Sequence, residues 1–89
     1  MSEVTLTIHH PAGLHARPAA IFVQAAKRFA SDVQVSHGER RANAKSILSV
    51  LTLGANQGAV ITIKAEGADA DEALAALQAL VEGNFGEAS

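Results

Sequence analysis

Hydrophobic positions along the chain switch between two periods, and the switches mark its elements. In VTLTI, Val4, Leu6 and Ile8 alternate with hydroxylated residues, the period-2 pattern of a half-buried strand. HPAG, residues 10–13, breaks that pattern. From Ala16 to about Arg28 the period becomes helical, with Ala19, Phe22, Val23, Ala26 and Ala30 on one stripe. Pro18 places the start of this helix near His15–Arg17, because proline lacks an N–H and is tolerated only in the first turn. Lys27 and Arg28 fall in the last turn, where cations complement the helix dipole. Asp32 to Ser36 alternates again with Val33 and Val35 inward. The turn residues His37–Glu39 then predict that RRAN, residues 40–43, pairs back as a short strand.

Ser46 has the character of an N-cap, since its hydroxyl can take an orphan N–H of the helix that follows. That helix, ILSVLTL, is short and stops near Gly54, a favoured C-terminal residue. Ala59 to Glu66 alternates with Ile61, Ile63 and Ala65 on one face. The final helix carries Ala70, Ala73, Leu74, Leu77, Leu80 and Val81 as its apolar stripe. Asp69 is placed to cap it, and Glu72 stands three residues on, as in a capping box. The last residues, NFGEAS, are expected to fray. The order is β-α-β-β-α-β-α. Every strand alternates, so the sheet has one wet face, and all three helices must cover the other. The predicted fold class is α+β: a four-stranded antiparallel sheet with three helices on one face.

Composition narrows the function. With 89 residues there is room for one core, so residues 1–89 read as a single domain. The absence of cysteine rules out disulfides and thiolate chemistry and suits a cytoplasmic location. A net charge of −2 and only three aromatic residues, all Phe, argue against nucleic-acid binding. No apolar run approaches the roughly 20 residues of a membrane span, so no membrane insertion is expected. The N-terminus lacks the basic start and apolar core of a secretion signal.

The candidate chemistry lies in GLHARPAA, residues 13–20. Amides in the first turn of a helix have no intrahelical acceptor, so those of Ala16 and Arg17 form a small cup of donors at the positive end of the dipole. A nucleophilic imidazole, His15, stands at its mouth. Arg17 adds planar, bidentate donors suited to phosphate oxygens. Together they fit a phosphoryl group carried on His15. The apolar excess in Ile47, Leu48, Val50, Leu51 and Leu53 is too large for one buried face of a short helix. Ile47, Leu48 and Leu51 are the candidates for an exposed docking patch. Lys45 reads as a solvated cation. His9, His10 and His15 are not expected to hold a metal, because adjacent strand-end histidines point to opposite faces.

GLHARPAA followed by ANAKSILSVLTLG, together with the element order over essentially the whole chain, resembles the HPr family of histidine-containing phosphocarriers of the phosphoenolpyruvate-dependent sugar phosphotransferase system. The resemblance implies an open-faced β-sandwich. It implies that His15 accepts the phosphoryl group at Nδ1, with Arg17 and the Ala16 N–H stabilising it, and that Ser46 matches a serine phosphorylated by a dedicated kinase in some bacteria. Implied partners are Enzyme I as donor and IIA domains of sugar permeases as acceptors. An HPr kinase/phosphorylase and a transcriptional regulator would act through Ser46. The chain would act as a monomeric, stoichiometric carrier without a metal or cofactor of its own, and not as an independent catalyst. One position departs from the family: Ala12 stands where members often have Asn, Ser or Thr. Orientation of the imidazole is therefore expected from backbone or water.

Two other readings share parts of this pattern. A carrier of a nitrogen-regulatory branch, or a dedicated carrier for another kinase relay, would use the same histidine and differ in its acceptor domains. A purely regulatory module would use the Ser46 region alone, and the presence of His15 speaks against it.

Overall fold

The computed structural model describes residues 2–86. Strands β1 (Ser2–Thr7), β2 (Asp32–His37), β3 (Arg40–Asn43) and β4 (Val60–Glu66) form one antiparallel sheet in the order β1-β4-β2-β3. The last strand thus fills the slot between β1 and β2. Registry explains the alternation read from the sequence. Val4, Ile63, Val35 and Ala42 stand opposite one another in a single row across all four strands. Leu6 pairs with Ile61 and Val33 with Ala65 on the same face. On the other face the corresponding rows are Thr5, Thr62, Ser36, Arg41 and Glu3, Lys64, Gln34, Asn43. The hydroxyls of Thr5 and Thr62 meet there at 3.1 Å.

Helices α1 (Ala16–Ala26), α2 (Ile47–Leu51) and α3 (Ala70–Glu82) cover the apolar face. α3 lies over β1, β4 and β2, and α1 packs on both α3 and α2. Phe22, Ile8, Leu14, Leu53, Ile61, Ile63 and Leu77 are fully buried between the layers. Burying each side chain of this size contributes roughly 1.5–3 kcal/mol. The helices on one face and the wet second face make an open-faced sandwich, as the alternation predicts.

Three local expectations are corrected. Helix α1 ends at Ala26, and Ala30, expected on its buried stripe, is exposed. The amides of Arg28 and Phe29 bond the carbonyls of Ala25 and Ala26, three residues back, which tightens and closes the last turn. The capping box on α3 does not form: Asp69 occupies the N-cap position, but its carboxylate makes no bond to the helix it precedes. Instead it accepts the amides of Ala30 and Ser31, each at 2.9 Å, and the hydroxyl of Ser31. Those donors hold the carboxyl of Asp69 below the usual carboxylate range, the Ser31 hydroxyl foremost and the Ala30 amide next. Finally, residues 84–86 do not fray but form a 3₁₀ turn that returns Phe85 to the core, 2% exposed. Asn84 and Phe85 both take positive φ, 54° and 58°, to make that return. The remainder of the segment expected to fray, residues 87–89, lies outside the described residues.

Candidate functional site

The loop between β1 and α1 is built to present His15. Leu14 is fully buried, and its N–H bonds the carbonyl of Ala55 at 2.7 Å. Gly13, at φ 65°, lets a second loop approach. A Cβ there would lie 2.5 Å from the Ala55 oxygen and 2.7 Å from Cα of Asn56. The second loop is held at its far end by the pairs Ile8 N–H to Ala59 O, 2.8 Å, and Gly58 N–H to Ile8 O, 2.7 Å. With both loops fixed, Asn56 Oδ1 comes to 2.7 Å from Nε2 of His15. The expectation that backbone or water orients this ring is thereby corrected: a side chain 41 residues away does so. Local pattern carried no signal for Asn56, which reads in sequence as an ordinary loop residue.

His15 is the N-cap residue of α1, with extended backbone (φ −124°, ψ 157°) and no side-chain capping bond. The first turn contains no acidic residue. Ala19 N–H closes the first intrahelical bond to the His15 carbonyl at 3.4 Å, so the amides of Ala16 and Arg17 precede the ladder. Ala16 and Arg17 are both exposed, and Ala16 takes the left-handed φ of 43°. A non-glycine residue held there carries strain of order 1–2 kcal/mol. His15, Ala16 and Arg17 thus share one open helix start.

The neighbouring His10 serves another end. His10 Nδ1 accepts the Ala12 N–H at 3.0 Å, and its ring meets the edge of Phe85. Among the described residues, no three His, Cys, Asp or Glu side chains converge as a metal-ligand set.

Ser46 caps α2 as the sequence predicts, its hydroxyl accepting the Ser49 N–H at 3.4 Å. Of the five apolar residues in that region, Val50 and Leu53 are buried, Leu51 is half-buried against the core, and Ile47 and Leu48 face solvent. Leu48 is 74% exposed, the most exposed large apolar side chain described. The C-terminal end of this short helix is clasped from the β2–β3 hairpin, where Arg40 donates to the Thr52 carbonyl at 2.9 Å. His37 Nδ1 lies 3.0 Å from the Leu53 carbonyl, to which it donates. A five-residue helix is marginal alone, so these bonds and the packing of Val50 hold it. Lys45 departs from its expected role: it is half-buried, and its ammonium donates to the Phe29 carbonyl at 2.7 Å, beyond the end of α1.

Comparison with known proteins agrees with this arrangement. The family model for the phosphorylation site of the HPr component of the phosphotransferase system matches residues 2–83. Among solved structures, HPr of Thermoanaerobacter tengcongensis is 48% identical over the full length of both chains, with a TM-score of 0.97. The phosphocarrier protein HPr of Bacillus anthracis is 44% identical, covers 90% of this chain and 95% of its own, and has a TM-score of 0.87. Crh of Bacillus subtilis, a catabolite-repression protein seen as a swapped dimer, is 40% identical over 94% of this chain and 97% of its own, with a TM-score of 0.75. With matching motifs, matching topology and near-complete coverage, the chain belongs to the HPr family of the phosphotransferase system.

Proposed function

We propose that the protein carries a phosphoryl group on Nδ1 of His15, received from phospho-Enzyme I and passed to IIA domains of sugar permeases. Residues 1–89 would act as a single monomeric domain in the cytoplasm, as a stoichiometric participant without a metal or cofactor of its own. The observation that carries the reading is the opening of α1: an imidazole at an acid-free helix start, with Arg17 two residues on. In the transfer, the Nδ1 lone pair attacks phosphorus and the donor nitrogen leaves with the former P–N electron pair. The Ala16 amide, Arg17 and the positive end of the helix favour the added negative charge. The onward step is the reverse, with the acceptor histidine of a IIA domain as nucleophile.

Ile47, Leu48 and Leu51 form the docking patch, exposed or half-exposed on α2 beside α1. Ser46 at the rim of that patch is the site at which an HPr kinase/phosphorylase would regulate docking, and through which a transcriptional regulator would be engaged.

Reconstitution with phosphoenolpyruvate, Enzyme I and a panel of IIA domains tests the assignment. The expected result is phosphoryl transfer to sugar-type IIA domains that depends on this chain. Transfer restricted to nitrogen-regulatory IIA domains would move the protein to that branch.

A further inference from the structure

We propose that Asn56 sets the tautomer of His15, and so decides which ring nitrogen is phosphorylated. The inference rests on the reading of His15 as the acceptor, but its first test does not. An amide oxygen only accepts hydrogen bonds. With Asn56 Oδ1 at 2.7 Å, Nε2 of His15 must carry the ring proton, and Nδ1 is left with the lone pair. The chain spends structure on this contact. Gly13 is free of a Cβ where the Asn56 backbone passes, and the bonds Leu14–Ala55, Ile8–Ala59 and Gly58–Ile8 fix the loop on both sides. The Asn56 carbonyl is itself tied to the Ala59 N–H at 2.9 Å. The amide is therefore positioned before any donor protein arrives.

The contact also grows as the reaction proceeds. When Nδ1 forms its bond to phosphorus, the electron pair it donates leaves the ring more positive while Nε2 keeps its proton. The donor departs with the electrons of the bond it loses. The Nε2–H to Oδ1 bond is then a charge-assisted one, stronger in the product-like state than in the free ring. Asn56 is a positioning residue in this account; it touches the ring and not the phosphoryl group.

The chain carries its own references for a spectroscopic test. His10 Nδ1 accepts a backbone N–H, whereas His37 Nδ1 donates to a carbonyl, so the two should display opposite tautomers. In a long-range ¹H–¹⁵N spectrum of the full chain, taken where the rings are neutral, His15 should match His10, with a proton-bearing Nε2. Asn56→Ala should move both His15 nitrogens toward a solvent-averaged mixture. Asn56→Asp, which offers acceptors only, should restore the wild-type pattern. A His15 pattern like that of His37, or one unchanged in Asn56→Ala, would overturn the proposal.

In phosphoryl uptake from Enzyme I, Asn56→Ala should lower kcat about three- to tenfold with KM unchanged, the scale of one hydrogen bond. A larger share of the product should be phosphorylated on Nε2. An unaltered rate and product would likewise overturn it. Failure of wild-type uptake would remove the acceptor reading while leaving the spectroscopic result to stand or fall alone.

Discussion

The two long helices, α1 and α3, begin in opposite ways. Both have the positive end of a helix dipole at their start. At α3 that end is neutralised: Asp71 and Glu72 lie in the first turn, and Asp69 at the cap is engaged by Ala30 and Ser31. At α1 there is no acidic residue, no side-chain cap, and a left-handed Ala16. The start of α3 is spent on stability, stitching the segment after α1 to the last helix. The start of α1 carries no acidic side chain, and its imidazole is held from the side by Asn56. An anion brought to the start of α3 would meet the repulsion of Asp71 and Glu72, and no acidic side chain in the first turn of α1 would oppose one there.

The stitch breaks most severely at Gly67. A Cβ there would sit 2.5 Å from the Ser31 hydroxyl and 2.8 Å from Ser31 Cα, at a φ of 145° that disfavours any side chain. Gly67→Ala should cost roughly 2–4 kcal/mol in denaturant unfolding, from strain and overpacking together. A loss within experimental error would show that the α3 start does not bear on stability.

Arg17→Lys sharpens the other side. Charge is retained but the planar fork is lost, so phosphoryl transfer should slow roughly tenfold to a hundredfold, about 1.5–3 kcal/mol. Unchanged stopped-flow kinetics would reduce Arg17 to a surface cation. Ser46→Asp leaves a competent cap on α2 and so should shift the melting temperature little. Its added charge beside Ile47 and Leu48 should raise the KM for this chain with Enzyme I by roughly three- to tenfold while kcat holds. A collapse in melting temperature, or a fall in kcat alone, would remove the docking explanation.

The smallest effect expected is that of Asp69→Asn. The folded carboxyl titrates below its ordinary value of 3.8, so its contribution is present above that value and is lost as pH falls through the lower, folded one. The variant should melt below wild type at neutral pH, and the two should converge on acidification past 3.8. Parallel melting curves down to strong acid would show that Asp69 contributes nothing through its charge.

The same contrast explains how far the chain could be read in advance. Alternation in Val4, Leu6, Val33, Val35, Ile61 and Ile63 reports the inward face because each strand really is wet on its other side. Pro18 and Ser46 mark helix starts through purely local chemistry, and the open site at His15 follows from them. What escaped the sequence acts over distance. Asp69 has the spacing of a capping box, yet its partners lie 38 and 39 residues back, and their three donors outcompete the local amide. Asn56 reaches His15 across 41 residues. Phe85 follows the final helix in a polar, glycine-flanked tail, and its burial in a left-handed turn comes from packing against α1, α3 and the His10 ring, which no local pattern reports. Periodicity records which face is buried, and it is silent on which loops meet.

The central claim is that His15 accepts a phosphoryl group at the open start of α1. Its most direct test is to incubate the full chain with phosphoenolpyruvate and Enzyme I, then measure intact mass before and after brief acid treatment. The account predicts a gain of one phosphoryl group that acid removes, as expected of a phosphoramidate, and no gain in a folded His15→Ala variant. Uptake at the wild-type rate in that variant, or an acid-stable adduct on the wild-type chain, would contradict it.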